Sequence, residues 1–475
     1  MHRSRTIKGA LTRRHLMGLA AGGVTAGLLP LKGWAGDDDD DKRPSASSTS
    51  VAMPASAGLS GQRIVVAGGG MAGMTAAKYL RLWGGSGVQV TLVEPDAVYT
   101  SSIMSNLVLN GSRNIDSLRF KRDALTTKYG VVRKPGQVVA VNANARTVTL
   151  SDKSLLAYDR LVLAPGVSFD DAYGLTQTDY ETRTPHAWRA GAQTTLLRNQ
   201  VAAMRNGDIF VMTIPKSPYR CPPGPYERAC VVADYLKRAK GPNCKVLVLD
   251  ENLTIQAERH TFERAFSTLH AGVIEYVPGA SHIVIDPTTK RVSYVDPVGG
   301  TQVVPARVVN PIVPHRASGS AAGGWLAQAG LNNSADGRWA NVDVLSYEST
   351  APGAQGIHVI GDAASCGMPK AGHVANQEAK ICADAILRLL AGGQPFAQPV
   401  ANSACYSPIT ATTASWLTAV YQYDATERKM KIASSGGQTL VNGLPATATE
   451  SSSIDGDNFE NMSIWFRTLM ADTTA

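Results

Sequence analysis

The sequence predicts an α/β protein: two Rossmann-like dinucleotide-binding units followed by a C-terminal α+β region. Three observations predict it. Residues 62–94 read as strand, glycine turn, helix and strand. A second strand–helix–strand run follows over 208–250. Residues 397–475 then lose this alternation and carry scattered aromatics. A chain of 475 residues, 44% apolar and 18% charged, can bury more than one core. Its formal charge of +8 is concentrated at one end. Arg3, Arg5, Lys8, Arg13, Arg14 and Lys32 lie in an acid-free N-terminal stretch, and the remainder carries only +2. That balance gives no electrostatic case for nucleic acid as a partner.

Residues 1–35 read as an export signal. Paired Arg13 and Arg14 precede a weakly apolar run over 17–31, and Gly33, Trp34 and Ala35 offer a small-residue cleavage site. The paired arginines point to the twin-arginine route, which moves folded, cofactor-loaded proteins, so the periplasm is the expected destination. The apolar run falls short of the ~20 residues of a membrane span. Residues 36–61 hold an acidic block at 37–41 and then Ser-, Ala- and Pro-rich sequence, predicted to be a disordered linker.

Residues 62–181 form the first unit. A strand at 63–67 meets Gly68-Gly69-Gly70-Met71-Ala72-Gly73, then a helix at 74–83 and a strand at 88–93 that ends in Glu94 and Pro95. Gly68 permits the sharp turn, Gly70 lets backbone approach a pyrophosphate, and Gly73 lets helix and strand pack closely. The helix N-terminus supplies free N–H groups for phosphate, and Glu94 lies where a carboxylate accepts ribose hydroxyls. Residues 95–120 are irregular. Residues 138–150, opening on Val138, alternate like an antiparallel ribbon. A strand over 158–166 ends in the tight turn Ala164-Pro165-Gly166.

Residues 182–305 form the second unit, with helices over 186–204 and 226–238 and strands over 208–214, 245–250, 272–277 and 282–295. No glycine fingerprint follows its first strand. The chain instead runs Pro215-Lys216-Ser217-Pro218-Tyr219-Arg220-Cys221-Pro222-Pro223, and proline lacks the N–H a pyrophosphate needs. The fold is kept and the nicotinamide site is lost. Residues 306–396 return to the first unit with strands at 307–311 and 356–360, Gly361-Asp362-Ala363, and a long helix over 371–390. Asp362 reads as a cofactor ligand or as a helix N-cap. In the C-terminal region, Phe459, Met462, Trp465, Phe466, Leu469 and Met470 recur at helical spacing. They read as a packed helix or as one lying on a membrane.

Cysteines stand at 221, 230, 244, 366, 382 and 405, and six allow 15 pairings. No Cys-x-x-Cys-His string occurs, so the chain carries no c-type haem attachment, and no metal-ligand spacing is present. Cys230 and Cys382 fall inside predicted helices, as small apolar residues do. Cys366 lies just past Gly-Asp-Ala. Cys221 sits in a stiff proline corner with Glu227 six residues on. In an exported chain a cysteine pair is a structural disulfide or a redox pair.

From about residue 62 to the C-terminus the chain resembles the flavoprotein subunit of flavocytochrome c sulfide dehydrogenase, a relative of the sulfide:quinone oxidoreductases. The resemblance rests on Gly68 to Gly73, residues 99–110, Cys221-Pro222-Pro223-Gly224-Pro225-Tyr226-Glu227-Arg228, residues 361–372 with Met368-Pro369-Lys370, and Cys405-Tyr406-Ser407. It implies FAD, held at Gly68, Gly70, Met71, Ala72, Gly73, Glu94, Pro95, Ser105, Asn106, Val138, Ala164, Gly166 and Gly361. Asp362 would lie on the ribityl chain, and Lys370 would face the reduced flavin unless it is a plain surface lysine. It also implies that Cys221 and Cys405 form a redox disulfide beside the flavin, with Glu227 moving protons. Sulfide would be oxidised to sulfane sulfur or polysulfide, with electrons leaving to a c-type cytochrome subunit that carries the haem. Arg220 and Arg228, next to Cys221 in sequence, are expected to favour its thiolate.

One position departs from the family. Ser102, in Ser101-Ser102-Ile103-Met104-Ser105-Asn106, stands where the family's Thr-Cys-x-x-Ser-Asn pattern carries the flavin-linking cysteine. FAD is therefore expected to be bound non-covalently, which leaves the electron acceptor open. Three alternatives stand beside the main reading. One is a sulfide:quinone oxidoreductase that meets the membrane through its C-terminus. Another is an NAD(P)H-dependent disulfide or flavin reductase, against which the missing second glycine motif counts. The last is a non-enzymatic FAD-binding electron-transfer subunit with structural cysteines.

Overall fold

The computed structural model describes residues 58–434, 440–441, 444–445 and 449–475, with side chains for all of these except 434–449. The export signal and nearly all of the linker lie outside the described residues. Strand β1 (Gln62–Ala67), helix α1 (Met71–Gly84) and strand β2 (Val88–Val93) form the predicted opening unit. β1 pairs in parallel with β2 on one side and with Arg160–Leu163 on the other, in register Ala67 to Val93 and Ala67 to Leu163. The eight-stranded sheet continues from Val132–Lys134 at one edge, through these strands and Ile357–Val359, to Ala340–Asp343 and Ala364–Ser365. Its central strands are buried on both faces, as their unbroken Val, Ile and Leu content requires.

A second, parallel sheet runs in the order Ile274–Pro278, Lys245–Asp250, Ile209–Ile214, Val308–Pro311. The strand Val308–Pro311 belongs to this sheet, so the return to the first unit comes after Pro311 and not at 306. The run over 282–295 is an antiparallel hairpin, Ser281–Ile285 with Arg291–Val295. The helix predicted over 186–204 begins only at Ala192. Ala187 is left-handed, with φ +48°, and the carbonyls of His186 and Ala187 accept hydrogen bonds from Arg228 at 2.8 Å each, a tertiary demand that overrides helical periodicity. Helix Gly224–Ala239 starts directly behind the proline corner, with Pro225 in its first turn, where the missing N–H costs nothing.

The C-terminal region pairs Val400–Pro408 with Ala414–Asp424, which in turn pairs with Lys429–Ser434. The last helix, Gly456–Thr474, packs against α1 and this sheet. Met462, Phe466, Leu469 and Met470 are buried there, so the packed alternative describes this helix. Among the described residues no helix is long and apolar enough to cross a membrane. The α/β fold with a C-terminal sheet and helix is the one the sequence predicts.

Candidate active site

Two cavities meet at Cys221. The larger is a cleft of about 1370 Å³, open solvent included, along the C-terminal edge of β1. The smaller, about 750 Å³, lies between the second sheet's helix and the C-terminal strands. Ser102, Ile103, Arg220, Cys221, Ala371 and Gly372 line both.

Backbone geometry explains the glycines of the cleft. Gly68 has φ +105°, and a Cβ there would sit 2.2 Å from the carbonyl oxygen of Ala164. A Cβ on Gly73 would sit 1.7 Å from the carbonyl oxygen of Gly68. Gly70 differs: a Cβ would meet nothing within 4 Å, and no side chain caps the helix there. The first amides of α1 therefore face open space. Glu94 accepts from the Gly69 amide at 2.6 Å, and buried Arg122 donates to the Gly69 carbonyl at 2.7 Å, locking the turn from both sides.

The cleft fits an extended dinucleotide. It runs from an uncapped helix N-terminus, past Glu94 and Gly361, to Cys221. Arg220, paired loosely with Asp362 at 3.9 Å, has a buried Nη2 without a hydrogen-bond partner, as a group awaiting a polar ligand would. Of the residues assigned to cofactor binding from sequence, Gly68, Gly70, Met71, Ala72, Glu94, Ala164, Gly166, Gly361 and Asp362 line the cleft. Gly73 packs beneath the turn.

Five others lie elsewhere. Pro95 is not among the walls, although its neighbours Glu94 and Asp96 are. Ser105 and Asn106 line the smaller cavity instead. Val138 is packed into the core beside Val148 and Leu150, so its side chain does not reach the cleft. Lys370 is neither a free surface lysine nor a wall of the cleft. Its Nζ donates to the Ala364 carbonyl at 2.8 Å and lies 3.9 Å over the Trp339 ring, while its carbonyl accepts from the Cys221 amide at 2.7 Å.

Cys221 and Cys405 both line the smaller cavity and are free thiols. Cys221 is left-handed at φ +60°, pinned between its bond to Lys370 and a bond from the Gly224 amide to its carbonyl at 2.9 Å. A side chain at Gly224 would place a Cβ 2.8 Å from the Cys221 sulfur and 3.0 Å from Trp188. Burial, then the Glu227 carboxylate, push the Cys221 thiol up to about 12, outweighing Arg220. Burial, then Cys221, Glu258 and Glu227, hold the Cys405 thiol well above its usual range. Arg220 pulls toward the thiolate, as expected, and burial with Glu227 outweighs it. Arg228 is spent on structure: it bonds Asn106 at 2.8 Å, Asn310 at 3.0 Å and the two carbonyls before Trp188, and it stacks on that indole.

Glu227 is buried in the same wall, and its Oε1 accepts from Asn106 at 2.9 Å. Burial raises its carboxyl to about 8, against the opposing pull of that hydrogen bond. It therefore holds a proton near neutrality, as a group that exchanges protons with thiols must. The same shift predicts a stability signature. Because the folded value lies above the unfolded 4.5, Glu227 stabilises the fold fully below pH 4.5, and that contribution is lost as pH rises to 8. The loss is roughly 3–5 kcal/mol for this group. Glu227→Gln is expected to flatten the fall of melting temperature between pH 5 and 8.5; parallel curves for the two proteins would contradict the assignment.

Several site residues carried no sequence signal. Trp188 donates to the Arg220 carbonyl at 3.0 Å and carries Arg228 on its face. Arg122 locks the glycine turn. Glu378, raised by burial to about 7, accepts from the Gly361 amide at 2.5 Å and the Cys366 thiol at 3.0 Å. Each acts through contacts distant in sequence, which periodicity does not report.

Residues 194–314 match the central domain of the sulfide dehydrogenase [flavocytochrome c] flavoprotein chain, and residues 62–198 match the pyridine nucleotide-disulphide oxidoreductase family. The fold is similar to that of the sulfide:quinone oxidoreductase from the hyperthermophilic bacterium Aquifex aeolicus. That likeness has a TM-score of 0.68 and 16% identity, and it covers 87% of this chain and 91% of that one. A NAD-dependent persulfide reductase from A. fulgidus gives a TM-score of 0.54 at 15% identity over 86% of this chain and 77% of its own. A ferredoxin reductase from Rhodopseudomonas palustris gives 0.54 at 18% over 76% and 82%. At these identities the likeness is one of fold. The chain is a flavoprotein oxidoreductase of the pyridine nucleotide-disulphide oxidoreductase fold that carries the central domain of the flavocytochrome c sulfide dehydrogenase flavoprotein chain.

Proposed function

We propose that this chain is the flavoprotein subunit of a periplasmic sulfide dehydrogenase, which oxidises sulfide through a Cys221–Cys405 redox pair and passes the electrons to a c-type cytochrome subunit. One observation carries the reading: Cys221 and Cys405, 184 positions apart in the sequence, line one cavity that opens at Cys221 onto the dinucleotide cleft, with Glu227 in the same wall. The family match and the fold likeness to a sulfide:quinone oxidoreductase add to it.

The chemistry balances on these residues. In the oxidised form a hydrosulfide attacks one sulfur of the disulfide, forming a persulfide on one cysteine and releasing the other as thiolate. A second hydrosulfide takes the outer sulfur away as disulfane, leaving both cysteines reduced. Bound FAD supplies the two-electron acceptor that returns the pair to the disulfide. Glu227 exchanges the thiol protons. Arg220, at the junction of the two cavities, attracts the anionic substrate. FAD is held without a covalent link, since Ser102 occupies the cavity junction and a hydroxyl does not form the family's thioether.

Anaerobic stopped-flow mixing tests the reading. Sulfide is expected to bleach the flavin in a single fast phase, cytochrome c to restore it, and acid precipitation to release FAD into solution. Bleaching by NADH but not sulfide would replace this function with that of a nicotinamide-dependent reductase. Reoxidation by quinone and not by cytochrome c would replace the acceptor.

A further inference from the structure

His373 lies in the first turn of helix Gly372–Leu390, where that helix packs against strand Val400–Pro408. The strand is the edge of its sheet, so its outward N–H groups need partners beyond the ladder. His373 supplies one. Its Nδ1 accepts from the Ala404 amide at 3.0 Å, one residue before Cys405. This bond fixes the chemistry of the ring. A backbone amide only donates, so Nδ1 carries no proton, and in the neutral imidazole the proton then sits on Nε2. Burial above all, with Lys380 adding to it, holds the imidazole below its usual range against the pull of the Ala404 bond and Asp472. The ring is therefore neutral at pH 7.

Nε2 is the unspent atom. No described residue bonds it, and it is not sealed in the core. His373 lines the smaller cavity together with Ala404, Cys405 and Tyr406. Elsewhere in that wall, Asn106, Trp188 and Arg228 already donate to protein partners. The helix that carries His373 has no side-chain cap, and Ala371 and Gly372 at its start line the same cavity, so its positive end favours an anion there. The Trp465 ring closes this side, 6.1 Å from the imidazole and 5.6 Å from Tyr406 between centroids.

We propose that His373 is the substrate-binding donor on the Cys405 side of the cavity, its Nε2–H holding a hydrosulfide anion while Arg220 draws that anion in from the Cys221 side. The ring donates as a neutral group. A protonated imidazole would carry a proton on both nitrogens, lose the Nδ1 acceptor and release the Ala404 amide beside Cys405. The same ring thus ties the strand that carries Cys405 through one nitrogen and meets the substrate through the other. The inference rests on the reading of this cavity as the sulfide site.

Two substitutions separate the two nitrogens. Asparagine offers an acceptor where Nδ1 lies and nothing where Nε2 lies, so His373→Asn keeps the bond to Ala404 and loses the donor. Glutamine carries an N–H to the Nε2 position and leaves the Nδ1 position empty, so His373→Gln does the opposite. The probe is thiocyanate, a sulfur anion too weakly basic to open a disulfide, titrated into FAD-loaded protein at pH 7 and followed by calorimetry. His373→Asn should bind it about tenfold or more weakly than the native protein, as the loss of one hydrogen bond to a charged group requires, while His373→Gln and Tyr406→Phe should stay within about threefold. Equal affinity in native and His373→Asn protein, no binding by the native protein, or a loss confined to His373→Gln or Tyr406→Phe would overturn the proposal. Sulfide bleaching of the native flavin is read separately. Its absence removes the proposed function and leaves the thiocyanate result standing; its presence beside equal thiocyanate affinities removes only this inference. If His373→Asn does not fold, native protein labelled with nitrogen-15 histidine answers instead. Thiocyanate should shift the Nε2 resonance of His373 and leave Nδ1 in place, and an unmoved Nε2 would also overturn the proposal.

Discussion

Sulfide-dependent reduction of the flavin is expected to fall by on the order of 10³-fold or more when either Cys221 or Cys405 becomes serine. The size follows from geometry. Two sulfurs on one cavity wall exchange with each other intramolecularly, and well-oriented pairs reach effective molarities of about 10⁵ M and above. A single remaining cysteine needs a second thiol from solution for every turnover. A serine hydroxyl does not replace it, being far less acidic than a thiol and unable to form a disulfide. The fold should survive. Both cysteines are only partly buried, and serine keeps their backbone partners. Thermal unfolding and flavin content are therefore expected to stay near native in both variants. Flavin reduction by sulfide at an unchanged rate would reduce the cysteines to structural residues and leave the chain an electron carrier.

The two serine variants differ in what they leave behind. Cys221→Ser keeps Cys405 with Glu227 and Glu258 around it, and Cys405→Ser keeps Cys221 beside Arg220 and Glu227. A lone thiolate takes sulfane sulfur from inorganic polysulfide and releases hydrosulfide, so a persulfide trapped with polysulfide in one variant and not in the other identifies the cysteine that carries the sulfane sulfur.

Much of this site is legible in sequence where the cause is local. The glycine turn, the strand before it and Glu94 after it lie within one unit of chain, and hydrophobic periodicity sets their order. The absent second fingerprint is equally local, since proline removes the donors that a phosphate needs. What fails to show is tertiary. The helix expected from residue 186 is shortened because Arg228 claims the carbonyls of His186 and Ala187. Asn106 faces Glu227 and not the cleft because helix Gly224–Ala239 arrives beside it, 121 residues later in the chain. For Val138 and Lys370 only the family resemblance points to the cofactor; the fold gives Val138 a core and Lys370 the Trp339 ring and the Ala364 carbonyl as neighbours. Glu258 is one acid among many until folding sets Ser407 against it.

Alanine at the three motif glycines is expected to separate folding from flavin binding. At Gly73 the new Cβ would lie 1.7 Å from the Gly68 carbonyl oxygen, and at Gly68 it would lie 2.2 Å from that of Ala164 while demanding φ +105°. Both obstacles are backbone, held in place by the pairing of β1 with β2 and with Arg160–Leu163. Neither yields by rotating a side chain. Each substitution should cost about 3 kcal/mol or more, lower the melting temperature and yield protein without FAD. Gly70→Ala should behave otherwise. Its φ of −83° suits any residue, and the added methyl meets no protein atom within 4 Å. The apoprotein should therefore melt as the native apoprotein does. The methyl does enter the open space above the first amides of α1, where a pyrophosphate would come close to the backbone. FAD affinity should then fall by about tenfold or more at unchanged apoprotein stability, as measured by flavin fluorescence on titration. If Gly70→Ala binds FAD as tightly as the native chain, the pyrophosphate does not lie over this helix N-terminus, and the cleft must hold its ligand by another edge.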